Sequence, residues 1–193
     1  MSTVIVDEIQ GRRDLNHVVT MPSGEYFNPG VGHVVQVAWK EDHQHGTYNA
    51  YNDATRNIDP LNLDFACKFS NSLILVQWWL FFESHYNIIF RPRVNSADVA
   101  GGTYSSYNTN SSSRWSGMAP GVYEQSWDQN STPIVQHMAW MYAPGTTANR
   151  TYNLGIRSSN GSNYQLRLNR AWGSYSDNYE AGVSTVLIQE IKQ

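Results

Sequence analysis

The chain has 193 residues, enough for one domain with an appendage and for a core that needs no disulfide or metal staple. Charged residues make up only 15% and the net charge is −3, so there is no basic field to gather phosphates and no nucleic-acid partner is expected. No apolar run approaches the about 20 residues that cross a bilayer, and Met1–Glu8 lacks the basic start and apolar run of a secretion signal, so neither membrane insertion nor export by that route is expected.

Residues 1–30 differ from the rest. Val4-Ile5-Val6 and Val18-Val19-Thr20 are short apolar pieces, and Asn28-Pro29-Gly30-Val31-Gly32 is a loop signal. The segment holds too little apolar surface to fold alone, so it is either a tail without fixed structure or an arm that orders against a partner. The compact domain is expected over residues 31–193.

His33–Trp39 reads as a strand, and residues 40–60 as a polar connection holding a functional loop or a short edge strand. Leu61, Leu63, Phe65, Cys67 and Phe69 alternate with mostly polar neighbours, which predicts a strand over Leu61–Phe69. Cys67 is the single cysteine, so no intrachain disulfide forms, and it reads as a small core residue. Ser70-Asn71-Ser72 then predicts a hairpin into Leu73–Phe82. In that stretch Gln77 alone interrupts the apolar residues, and β-branched and aromatic types favour a strand. Ile88–Val94 predicts a strand that Pro92 pushes toward an edge or bulge. Ser96–Ala100 hints at a helical turn, residues 101–117 form a polar loop, and Gly121–Trp127 is a short strand candidate. Ile134–Ala143 and Arg150–Arg157 predict strands. The Asn160-Gly161 turn predicts a hairpin between Arg150–Arg157 and the strand carrying Tyr164, Leu166 and Leu168. Val183–Ile191 closes the chain. About eight strands with turn signals between them predict an all-β fold, an antiparallel jelly-roll β-sandwich with an extended N-terminal arm.

Signatures of catalysis are missing: the sequence has no Gly-x-Ser-x-Gly, phosphate loop, His-Glu-x-x-His or Cys-x-x-Cys. No enzymatic activity and no cofactor are expected, and Asp42, Asp53, Asp59 and Asp64 read as solvated loop acids. His43 and His45 would share one face of an extended strand. Three copies around an axis would then bring six imidazoles together, enough for an octahedral transition-metal site, against the plainer reading of a polar loop. Trp115, Tyr123, Trp172 and Tyr179 stand in amide-rich loops, where aromatic faces hold sugar rings or fill contacts between subunits.

Three stretches at the end of the chain stand out: Tyr164–Trp172 with its Asn169-Arg170, Tyr175-Ser176-Asp177-Asn178-Tyr179, and Gly182-Val183-Ser184-Thr185 running into Glu190-Ile191. Together they resemble the C-terminal module of short fibre or decoration-like structural proteins of tailed bacteriophages, marine ones especially. Met1–Gln10 is similar to the attachment segment of those proteins, and Met21-Pro22-Ser23-Gly24 through His33–Val37 to their entry into the sandwich. The resemblance implies a homotrimeric, tumour-necrosis-factor-like jelly roll in the virion, assembled in the host cytoplasm. Val4, Ile5, Val6 and Ile9 would anchor it to other capsid or tail proteins, and a host-surface glycan would be its contact. A cellular jelly-roll lectin and a glycan-cleaving enzyme on the same fold are the competing classes. The Trp78-Trp79 pair and the lack of a long shaft depart from the pattern.

Leu73–Phe82 also bears on assembly. Its alternate sets are Leu73, Leu75, Gln77, Trp79, Phe81 and Ile74, Val76, Trp78, Leu80, Phe82, and neither suits water. One set packs on the core. The set holding Gln77 is expected at the trimer interface, where Gln77 can bond with its symmetry mates and fix the register.

Overall fold

The computed structural model describes residues 30–84, 87–99, 117–121, 133–172 and 180–193. The chain divides into two units, Met1–Gly30 and Val31–Gln193. Val4, Ile5, Val6 and Ile9 lie outside the described residues. In the second unit the strands are β1 (Val34–Asp42), β2 (Gly46–Ala50), β3 (Arg56–Asn57), β4 (Leu63–Phe65), β5 (Leu73–Ser84), β6 (Ile88–Val94), β7 (Ala97–Asp98), β8 (Ala119–Pro120), β9 (Ile134–Tyr142), β10 (Arg150–Ser158), β11 (Tyr164–Leu168) and β12 (Ser184–Ile191). No α-helix occurs among the described residues.

The strands form two antiparallel sheets, an all-β sandwich. One runs β1-β12-β5-β11-β2 with β9 on the other edge of β5; the other runs β3-β10-β6-β7, with β4 also on β10 and β8 also on β6. The first sheet turns Ile74, Val76, Trp78, Leu80 and Phe82 of β5 inward, all fully buried, beside Val186 and Ile188 of β12. Ile88, Phe90, Leu154 and Ile156 meet them from the second sheet, and the Phe82 and Phe90 rings pack edge to face at 5.2 Å.

Several expected elements are corrected. Leu61–Phe69 is not one strand: Asp59–Leu61 is a 3-10 turn entered through Pro60, and only Leu63–Phe65 is extended. Nor do Leu61–Phe69 and β5 make a hairpin, because β4 pairs with β10 in the opposite sheet. The chain from Ala66 to Ser72 crosses between sheets. Its polar groups are met by Glu190 of β12, whose carboxylate accepts from the Lys68 and Phe69 amides and from Ser72 Oγ at 2.6 Å. The Asn160-Gly161 turn is likewise a crossing, since β11 pairs with β2 and β5 rather than with β10. Local bonds from Ser158 and Asn160 shape that turn but do not choose the sheet the chain enters. Asn95 and Ser96, both at positive φ, form the two-residue turn of a β6–β7 hairpin, in place of a helical turn. Pro92 sits inside β6 because the outer edge there is unpaired: β8 takes Ile89 and Phe90, and β7 takes Arg93 and Val94. The connection 40–60 contains the rest of β1 together with β2 and β3. Most of Gly121–Trp127 lies outside the described residues.

Cys67 lies in the first crossing and is 5% exposed. Burial, with the Glu190 carboxylate nearby, pushes its thiol up to about 11. The native thiol should therefore resist iodoacetamide at pH 8, while the urea-unfolded chain should react. An unfolded thiol ionises near 8.5, so above that pH the unfolded chain binds fewer protons than the folded one. Its contribution to stability should be complete below pH about 8.5 and decline as pH rises toward about 11. Rapid native alkylation at pH 8 would contradict this placement.

Candidate functional site: the outer face of the β1–β12–β5–β9 sheet

The two sheets present opposite chemistry outward. On the second sheet, Arg91 and Arg93 of β6 pair with Asp98 at 2.7 and 3.0 Å. Asn153 of β10 donates to Asn62 Oδ1 and accepts from the Ser96 amide. Gly155 lies under this layer; a Cβ there would fall 2.5 Å from Thr55 Cγ2 and 2.6 Å from Arg93 Cδ, so only glycine lets the polar layer close. That face is finished by hydrogen bonds and ion pairs.

The first sheet turns apolar side chains outward instead. Register sets the rows: Trp39, Leu187, Gln77 and Ala139 across the four strands, then Val37, Gln189, Leu75 and Met141, then Glu41, Thr185, Trp79 and His137. Phe81 stands opposite Val135, and Leu73 opposite Ile191. Trp39 is 62% exposed, Val135 67% and Met141 51%. Four strands at about 4.8 Å spacing and eight steps of about 3.4 Å give a face of roughly 15 by 27 Å, about 400 Å² in plan. Glu41, Thr185, Gln189, Gln77 and His137 interrupt its apolar members, and a patch of this size is as large as single domains ordinarily expose and is often functional.

Leu73, Leu75, Gln77, Trp79 and Phe81 lie on this outward face, and each is half-buried. Two side-chain arrangements cover them. The Trp79 ring stacks on His137 at 4.7 Å with planes 20° apart, and Phe81 packs against Gly182, where a Cβ would strike its ring. Trp39, Val37, Leu187, Val135 and Met141 widen the face beyond β5, and sequence reasoning missed them. The signal was present in Val34-Val35-Gln36-Val37-Ala38-Trp39 and in Met138-Ala139-Trp140-Met141, runs in which both alternating sets are largely apolar.

Among the described residues, the other sequence-predicted positions do not converge on a site. His43 and His45 fall in the connection between β1 and β2 rather than on a strand. The His43 imidazole lies 3.3 Å from the Glu41 carboxylate. Among the described residues no three His, Cys, Asp or Glu side chains gather as metal ligands. Asp42 is buried rather than solvated, and Asn169 Nδ2 donates to its carboxylate at 2.8 Å. Asp64 of β4 accepts from Thr151 across the β4–β10 ladder, and Asp59 accepts from Asn62 within its own turn. Trp115, Tyr123 and Tyr179 lie outside the described residues. Trp172 follows β11, half-buried, with the Arg167 guanidinium 4.6 Å over its ring and its backbone N–H donated to the Glu83 carboxylate. One face of that indole is thus already covered by a cation.

Asn169 marks the end of β11 in a left-handed conformation, φ 60°, which asparagine tolerates. Its amide also accepts from Ser184 Oγ at 2.6 Å, and Ser184 Oγ accepts from the Phe81 amide. This knot ties the ends of β1, β11 and β12 to β5 and fixes one border of the outer face. No protein-family model matches the chain, and no curated protein shows significant sequence similarity to it.

Proposed function

We propose that this protein is a non-enzymatic structural module of a tailed-phage virion, a homotrimer held to other virion proteins by residues 1–30 and contributing to host or glycan attachment. The apolar outer face of the β1–β12–β5–β9 sheet carries the assembly part of this reading. A sandwich that finishes one outer face with ion pairs and leaves the other apolar is built to be covered on the second. A second and third copy fit best, because closed cyclic symmetry covers the same face on every chain. The choice of three rests on the resemblance to phage fibre and decoration modules.

Strand order supports the jelly-roll part of the reading. With β2, β3, β7 and β11 taken as additions to a core of eight strands, the sheets run β1-β12-β5-β9 and β4-β10-β6-β8. In chain order these are the first, eighth, third and sixth strands facing the second, seventh, fourth and fifth. A folded antiparallel ribbon wrapped into two sheets produces that order.

The virion assignment has a direct test. Peptides of this chain should appear in gradient-purified particles made by the phage genome that encodes it, and a version lacking residues 1–30 should fold but not join them. Absence of the full chain from particles, or incorporation of the shortened one, would contradict the assignment.

A further inference from the structure

At the β11 end of the first sheet, two cations meet without an acid. Arg167 stands opposite Thr47 of β2, and Arg170 follows just past β11. Both guanidinium groups donate to the same hydroxyl, Thr47 Oγ1, Arg167 through Nη1 and Arg170 through Nη2 at 3.2 Å. The Nε atoms of both arginines are buried without an acceptor among the described residues. No described carboxylate forms an ion pair with either. Glu83, opposite Arg167 in the ladder, is 1% exposed and accepts the Trp172 amide. On the second sheet, by contrast, Arg91 and Arg93 share Asp98.

Like charges held beside one hydroxyl repel, and their buried Nε donors lack acceptors. Burial and then the neighbouring Arg170 push the Arg167 guanidinium below its ordinary range, the direction expected of a cation short of counter-charge. The Trp172 ring lies 4.6 Å from Arg167 Cζ, within reach of a cation–π contact. Thr47 is exposed, so the cluster opens to solvent.

We propose that Arg167, Arg170 and Thr47, backed by Trp172, form an oxyanion-binding site for the sulfate or carboxylate group of an acidic saccharide. A planar guanidinium presents paired donors that match such a group, and two of them around one hydroxyl give a site for a single oxyanion. The saccharide rests on the attachment role proposed above; the oxyanion rests on the arginine geometry alone.

Calorimetry on the full chain tests this with a sulfated hexasaccharide, a neutral hexasaccharide and sodium sulfate, and with light scattering of each variant in parallel. The sulfated sugar should bind with an affinity that falls as salt rises, and the neutral sugar should not bind. Arg167→Gln/Arg170→Gln should weaken binding at least about tenfold, with chain mass in solution unchanged. Arg170→Gln alone, which leaves Arg167 on its tryptophan, should give a smaller loss and covers the case of a double variant that does not fold. Equal binding by parent and variants, or by neutral and sulfated sugars, would overturn the site. Sulfate binding as tightly as the sugar would overturn the saccharide. A change of mass in the variants would show instead that the arginines pair with an acid of a neighbouring copy. A parent that is monomeric but binds the sulfated sugar would contradict the trimer and leave this site standing.

Discussion

Trp79→Glu should yield a folded monomer of 21.9 kDa that no longer associates. Trp79 points outward, stacked on His137, in the row with Thr185 and Glu41. Covering the outer face removes from water the exposed apolar area of Trp39, Val37, Val135 and Met141 together with what Leu75, Trp79 and Phe81 still expose, at about 25 cal/mol per Å² before the entropy of association is subtracted. Tryptophan is among the residue types that most often dominate interface energy. A carboxylate in its place loses that apolar area and, on association, must be buried without a cation, a cost of about 3–5 kcal/mol. Repeated in every copy, that cost is set against an apolar gain already reduced by the cost of association. The inner face is untouched, so near-ultraviolet circular dichroism should keep its native form. Trp78→Glu, one residue away, should do the opposite and prevent folding, because Trp78 is fully buried between the sheets. Light scattering and circular dichroism on both variants read the contrast. A Trp79→Glu protein that keeps its parent's mass would remove this strand from the interface.

Glu190→Ala should be the most destabilising single truncation outside the hydrophobic core. Glu190 is fully buried, and both its oxygens accept hydrogen bonds. Gln36 Nε2 donates at 2.7 Å, Ser72 Oγ at 2.6 Å, and the Lys68 and Phe69 amides at 2.9 to 3.0 Å. Alanine leaves Ser72 Oγ buried without this acceptor and strips the Lys68 and Phe69 amides of theirs, while Gln36 Nε2 keeps the Ala66 carbonyl at 2.6 Å, and the crossing between β4 and β5 is freed. The expected loss is about 3–5 kcal/mol, or roughly 6–20 °C in melting temperature for a chain of this length. Glu190→Gln keeps one acceptor oxygen and the side-chain shape, so it should lose less. Urea unfolding of the three proteins measures the series. A Glu190→Ala melt within a degree or two of the parent would show that the crossing is held by something else.

The same residues explain how far the sequence could be read. β5 was legible because its composition dominates any local choice: nine apolar residues in ten have only two faces to occupy. β6, β9, β10 and β12 were legible for similar reasons, each with β-branched or aromatic alternation between turn residues. The crossings were not. Leu61–Phe69 alternates as a strand should, but its later amides are claimed by Glu190, 122 residues away from Lys68. The Asn160-Gly161 signal correctly marks a turn, yet whether a turn returns in its own sheet or enters the other depends on pairings far along the chain. His43 and His45 were read on strand spacing, but they fall in the connection after Asp42. The arginine cluster had no local signal at all, since Thr47 and Arg167 meet only through the β2–β11 ladder. The outer face was half legible. Its β5 members came from one strand, while Trp39, Val135 and Met141 join them only once β1 and β9 are placed beside β12 and β5.

Sedimentation equilibrium of the parent protein over a hundredfold dilution tests the central claim most directly. Covered outer faces predict a single species of three times the 21.9 kDa chain mass at every concentration at which the protein is folded. A well-folded species of 21.9 kDa across the range would contradict the assembly reading of this face.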